Sequence, residues 1–206
     1  NIELLSAAES IGLEFAGFVD KSSSSCKSLP YLGSDEQFVE RREAFTDCRL
    51  VIAVDQGYVR DALFLAYRKI GFEFATLCFG EVADDARLGE GTVVMPGARV
   101  SNMSTVGENC FINIGALVGH DNQISRSVVV APHCVCLGYV KVGDRTYLGA
   151  NATLCPRVQI GDDVMVSAGS TIAESLGSQN QVFGYYPLPK MHLKIPNSRQ
   201  DFSVPF

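Results

Sequence analysis

The sequence contains no CxxC pair, although it has seven cysteines. An odd number without a paired framework argues against the disulfide scaffold of a small secreted domain and reads as reduced thiols, which predicts a cytoplasmic protein. A metal site built on Cys134 and Cys136 ("CVC") lacks a second ligand pair at suitable spacing, so no metal is expected. Histidine is scarce: His120, His133 and His192 are the only three. No apolar stretch reaches the ~18 residues of a membrane-spanning helix. No basic run is dense enough to reverse the net charge of −6, which argues against a nucleic-acid footprint. The chain opens at Asn1 without a methionine and without a recognisable signal peptide. What is present, 47% hydrophobic and 19% charged over 206 residues, is the composition of a globular protein of one large domain or two small ones.

Residues 1–80 read as alternating helix and strand. "IELLSAAESIGL" places Ile2, Leu5, Ala8 and Ile11 at helical spacing. "EFAGFVD" follows as a strand ending at Asp20, and "SSSS" and "LPYLG" read as loop. Ser34 and Gln37 have capping-box spacing and open a second helix. "RLVIAV" (49–54) is the near-continuous apolar run of a strand buried on both faces. "YVRDALFLAYRKIG" predicts a helix stopped by Gly71, and "FEFATLCF" another strand. This order predicts a parallel sheet with crossover helices. A doubly wound sheet starts from a central strand and a Gly-rich turn, whereas the first element here is a helix. The expectation is that such a strand and turn precede Asn1, or that another segment fills their place.

From Val82 onward the period changes. Aliphatic residues recur every six positions from Val82 through Val100, Val118, Val142 and Leu154 to Ile172, sixteen positions with Cys136 as the only non-aliphatic. The residue four places after each is usually small or β-branched, as at Ala98, Ala116, Cys134 and Ala152; Asn122 is the polar break in that second series. A period of six is neither that of a helix nor that of hairpin strands; it is a hexapeptide β-helix signature, each hexad supplying a short strand and a corner. The aliphatic points inward and the small residue fits the corner. Each buried aliphatic contributes roughly 1.5–3 kcal/mol, and the stack is expected to fold as one unit. Within that beat, "GALVGHDNQI" (115–124) leaves His120, Asp121 and Asn122 without a part in the core.

The hexads, the "NIGALVGHD" run and the segments "GFVD", "LGSDE", "IAVDQGYVR" and "GFEFATL" resemble the left-handed β-helix sugar acetyltransferases, in particular the nucleotide-amino-sugar N-acetyltransferases and sialic acid O-acetyltransferases. The resemblance covers roughly residues 2–190. It implies an α/β Rossmann-like sugar-nucleotide domain over 1–80, lacking its first strand in this chain. A left-handed parallel β-helix acyltransferase domain follows over 81–177, then a C-terminal segment and tail over 178–206. It further implies a homotrimer and acetyl-CoA as co-substrate. The family's catalytic histidine matches His120, its acidic partner Asp121. An asparagine seven residues earlier, near the acceptor sugar, matches Asn113, and Asp20 matches the position that touches the nucleotide. The sequence departs from the family at Val129, where many members carry a second histidine, at "CFGE" (78–81) and at "GYYPLPK" (184–190). His133 falls in a different phase of the hexad and does not replace the histidine absent at 129.

Three hexads per turn put Gly138 one coil above His120, and adjacent strands lie about 4.8 Å apart. The backbone N–H near Gly138 is therefore expected beside an acyl group approached by His120, an oxyanion-hole arrangement in outline. His120 is expected to act as general base on the amino or hydroxyl group of the sugar, with Asp121 orienting the imidazole. The alternative is a solvated corner histidine beside a solvated aspartate. Gly149, Ala150 and Ala168 are small enough to admit the pantetheine arm, or are ordinary turn residues. Lys190 is the candidate for a CoA phosphate contact, or a surface lysine; Asp20 holds ribose or base, or simply ends a strand. Two other functions compete. A γ-class carbonic anhydrase needs three zinc-binding histidines, and the three here are spaced 13 and 59 apart. A non-catalytic trimeric scaffold predicts no acetyl-CoA binding.

Overall fold

The computed structural model describes residues 2–182. Lys190, His192 and most of the C-terminal segment lie outside the described residues.

Helix α1 (Ile2–Ser10) forms where the sequence predicts it, but it buries Leu4, Ala7 and Ala8 with Leu5 half-buried, and Ile11, expected on the apolar face, lies past its end and is exposed. The helix closes with Gly12 at φ +72°, Gly12 N–H donating to Glu9 O and Leu13 N–H to Ala8 O, the paired bonds of a Schellman cap. Helix α2 (Asp35–Glu40) starts at Ser34 with the capping box the sequence predicts: Ser34 accepts from Gln37 N–H, and the Gln37 side chain accepts from Ser34 N–H. Helix α3 (Gly57–Lys69) stops at Gly71, φ +94°, with a second Schellman pair in which Phe72 N–H reaches Tyr67 O. The Tyr67 and Phe72 rings meet edge to face, 5.5 Å between centroids, supplying the apolar contact that accompanies this cap.

The strands expected between these helices are a different matter. Among the described residues, "EFAGFVD" and "RLVIAV" form no ladder. They contribute single parallel bridges, Phe18 with Tyr31 and Leu50 with Phe74. The physical reason is visible in the burial of the second run: Ile52 is buried, Val51 and Val54 are half-buried and Ala53 is exposed. An apolar run wetted on one side is not the doubly covered strand its composition suggested. Of "FEFATLCF" only Leu77–Cys78 is a strand, and it pairs with Val93–Val94 in the coil.

From Leu77 to Val182 the chain winds through eighteen two-residue strands that stack into three parallel sheets of seven, six and five strands. Stacked neighbours are eighteen residues apart, as Val93 with Phe111 and Leu117 with Val135. Only the first and last steps of the seven-stranded face are shorter, pairing Leu77 with Val93 and Met165 with Gln181. This is a parallel β-solenoid. The second residue of each strand points inward, and the predicted aliphatic series from Val94 to Ile172, with Cys136 in its place, is buried, while Val82 and Leu88 at the open end are half-buried. The corners share one geometry. From Leu88 to Val166 the residue three after each inward residue takes positive φ: ten non-glycine residues from Met103 to Asp163 lie between 54° and 66°, and Gly91, Gly97, Gly115 and Gly169 occupy the same place.

The outer side of the seven-stranded face is itself covered. Val93, Phe111 and Val129 point outward there, yet are buried against Leu4 and Ala7 of α1. Helix α3 docks on the same coil mainly through polar groups. Asp61 accepts from Arg126 Nε at 2.7 Å and Ser127 Oγ at 2.8 Å, and Arg68 pairs with Glu90 and Glu108. Gly57 sits against the Arg145 carbonyl so closely that any Cβ would collide with it. Arg60, fully buried, donates to the carbonyls of Ile52, Val54 and Asn109 and to the Asn109 side chain. Burial lowers its pKa to about 10, still far above neutrality, so the guanidinium stays charged.

Candidate active site

His120 stands at the corner that follows strand Leu117–Val118 of the six-stranded sheet and precedes Gln123–Ile124 of the five-stranded one. Its side chain is 58% exposed. Asp121 occupies the left-handed position, φ +57°, which turns its carboxylate back on its neighbour: His120 Nδ1 lies 2.8 Å from Asp121 Oδ2. A carboxylate at this distance accepts from a protonated Nδ1, and in that tautomer Nε2 carries the lone pair.

The eighteen-residue register brings Gly138 onto this ring. A Cβ built on Gly138 would fall 2.5 Å from His120 Nε2 and 2.6 Å from Cε1. Any side chain at this position would have to push the exposed imidazole aside. The Gly138 carbonyl accepts from Arg157 N–H at 3.0 Å, and among the described residues its own N–H meets no acceptor. The imidazole Nε2 and an N–H donor without a partner among the described residues therefore share one corner column, an arrangement able to take a proton from one group and stabilise negative charge on another. Gly138→Ala is expected to displace the ring and lower turnover at least about tenfold, with the melting temperature little changed because the corner is open to solvent; steady-state kinetics beside a thermal melt checks this.

At this corner Tyr139 and Arg157 went unread in the sequence, and Asn122 was misjudged there. Asn122 is not a spare polar residue. It is fully buried, its Oδ1 accepting from Val140 N–H at 2.7 Å and its Nδ2 donating to the Cys136 carbonyl at 3.3 Å, so it clamps both ends of the Leu137–Tyr139 corner. Thr92, Ser104 and Thr146 do similar work elsewhere with a hydroxyl. The Tyr139 ring meets His120 edge to face, 5.2 Å between centroids at 88°. The Arg157 guanidinium lies 5.0 Å over the Tyr139 ring. Adding eighteen to 121 twice reaches both residues, a signal the spacing already held.

The remaining candidates are spread over the chain. Asn113, nearly buried, lies at the next corner back, where its Oδ1 accepts from Ile114 N–H; no contact joins it to His120. His133 lies on that same corner over Gly115. Asp20 is exposed in a loop, its N–H bonded to the Gly33 carbonyl and its carboxylate accepting from Lys21 N–H. A Cβ on Gly149 would meet Ala168 N and the Ser167 carbonyl carbon of the next coil, so close stacking accounts for that glycine. Ala150 is half-buried and Ala168 exposed on neighbouring coils, linked where Gly169 N–H donates to Ala150 O.

Comparison with known proteins agrees with this architecture. Residues 139–174 match the family model described as bacterial transferase hexapeptide (six repeats). Over 73 residues the chain is 34% identical to the GDP-perosamine N-acetyltransferase of Escherichia coli O157:H7, a stretch covering 35% of this chain and 33% of that protein. The chain spans roughly a quarter to a third of the length of the curated relatives it matches. Among solved structures, a histidine variant of perosamine N-acetyltransferase from Caulobacter crescentus, in complex with CoA and GDP-perosamine, superposes with a TM-score of 0.81 at 28% identity over 88% of each chain. The acetyltransferase domain of PglB from Neisseria gonorrhoeae FA1090 shares the fold, with a TM-score of 0.80 at 23% identity over 89% of this chain and 90% of that one.

Proposed function

We propose that this hexapeptide-repeat protein is an acetyl-CoA-dependent N-acetyltransferase of a nucleotide-linked amino sugar, with His120 as its general base. The observation that carries the reading is the His120–Asp121 pair set against Gly138, in a chain whose fold matches that of perosamine N-acetyltransferase along most of its length. Its Nε2 takes a proton from the sugar amine as the N–C bond forms at the acetyl carbonyl. Asp121 holds the ring and balances the imidazolium charge, and the Gly138 N–H stabilises the charge that develops on the carbonyl oxygen. The C–S bond then breaks, and His120 returns the proton to the departing thiolate. Transfer is direct, with no covalent enzyme intermediate.

The finer parts of the reading rest on the same resemblance. The coil is left-handed and residues 1–80 serve the nucleotide as a Rossmann-like unit reduced to its helices and two single parallel bridges, with Asp20 beside the ribose or base and Asn113 near the acceptor. Gly149, Ala150 and Ala168 lie along the path of the pantetheine arm, and Lys190 meets a CoA phosphate. The protein is a cytoplasmic homotrimer, which turns the open His120 corner into a groove between subunits. Among the described residues no helix is long and apolar enough to cross a membrane.

The test is acetyl transfer from acetyl-CoA to a panel of GDP-, UDP- and dTDP-linked amino sugars and free sialic acids. Acetylation of at least one nucleotide-linked amino sugar is expected. Acetylation of sialic acid hydroxyls alone would replace the substrate, and no transfer or acetyl-CoA binding at all would leave a scaffold.

A further inference from the structure

We infer that Tyr139 is a positioning residue that holds the His120 imidazole in its working orientation, backed by Arg157; the inference rests on the proposed role of His120. Two contacts flank the ring without gripping it. Asp121 fixes the position of Nδ1 but leaves the imidazole free to swing about that hydrogen bond, and Gly138 offers no side chain at all. The only ring that meets the imidazole among the described contacts is Tyr139, perpendicular to it with 5.2 Å between centroids. Perpendicular packing is the favoured arrangement for two aromatic rings, and it resists rotation of either one.

The backbone supplies an independent argument. Tyr139 has φ +63°, a conformation that disfavours bulky side chains and suits Asn, Asp or Gly. At the equivalent places elsewhere in the described coil glycine, asparagine, aspartate or serine stands at nine positions and Met103, His133, Arg145 and Arg157 at the other four, so Tyr139 is the one phenol ring held in this conformation. The ring is also 45% exposed, so core packing does not require it. A strained, exposed aromatic side chain is therefore retained at the one corner where it touches His120. Arg157, one coil further on and itself at φ +66°, lies over the tyrosine ring and steadies it in turn.

Tyr139→Asn separates this role from a structural one, because asparagine relieves the backbone while removing the ring. The expected result is an unchanged or raised melting temperature, a kcat lowered about tenfold and a KM for acetyl-CoA altered less than about twofold. Tyr139→Phe, which keeps the ring, restores kcat. The second readout does not depend on turnover. With three histidines in the chain, the His120 Cε1–H resonance is assigned by its loss in His120→Ala. It is expected to be displaced by the ring current in the wild type and in Tyr139→Phe, and to move to the free-imidazole position in Tyr139→Asn. Wild-type kcat in Tyr139→Asn overturns the inference, as does an unmoved resonance. Full activity in His120→Ala instead overturns the catalytic reading, while the resonance still reports whether Tyr139 holds the ring.

Discussion

Replacing His120 with alanine is expected to lower kcat for acetyl transfer by about 10²–10⁴-fold, the range in which a positioned general base acts. The loss should fall on kcat far more than on KM, because the imidazole engages the proton only as the N–C bond forms. The fold is expected to survive. The side chain is 58% exposed, its hydrogen bond is to an accessible neighbour, and no core residue leans on it. A melting temperature within about 2 °C of wild type, measured beside the kinetics, would exclude unfolding as the cause. Retention of near-normal turnover would remove His120 from the chemistry. Asp121→Asn is the companion variant: an amide still occupies the turn, but it can present its N–H to Nδ1, favour the wrong tautomer and leave no negative charge to balance the imidazolium.

Arg60→Met should give the largest loss of stability, about 3–5 kcal/mol. The side chain has no exposed surface, and its nitrogens satisfy three carbonyls on two separate segments: Ile52 and Val54 before helix α3, and Asn109 on the coil. Methionine fills much of the same volume but donates nothing, so those oxygens are left buried without partners. The guanidinium is also what joins the two halves of the molecule at this point. Arg60→Lys retains the charge but cannot reach both segments with one fork, and should fall between the two. Equilibrium urea unfolding of all three proteins measures the series. A loss below about 1 kcal/mol in Arg60→Met would mean that water replaces the lost bonds and that α3 is held mainly by its apolar contacts.

How far the molecule could be read from its sequence varies sharply along the chain. The coil was legible because its signal is redundant: each inward aliphatic is specified by its neighbours six residues away, and local context barely matters. The caps of α2 and α3 were legible because Ser34 with Gln37, and Gly71, encode their own hydrogen bonds. The segments around Phe18 and Leu50 were not. A short apolar run looks the same whether it enters a ladder or makes one bridge, and only its partners decide. The covered face was written in the sequence but unread. The outward residues Val93, Phe111, Val129 and Tyr147 recur every eighteen positions, whereas Arg87, Thr105, Gln123 and Lys141 hold the same place on the five-stranded face. At the site, Gly138 followed from arithmetic on the register. Asn122, being polar, reads in the sequence as a residue the core does not need, and the structure corrects this: it is buried because its amide replaces two backbone partners across the coil.

The eighteen-residue register also limits how the chain can change length. His120 and Gly138 are neighbours only because three hexads separate them, so a single residue inserted within a strand between them would turn every later aliphatic outward. Losing six residues would carry all later strands onto the next face, and losing eighteen would set Pro156 where Gly138 stands, placing a ring against the imidazole and abolishing the N–H donor. Length can vary freely only in loops that leave and rejoin the coil at one corner. The His120 corner is thus locked in phase as well as in composition.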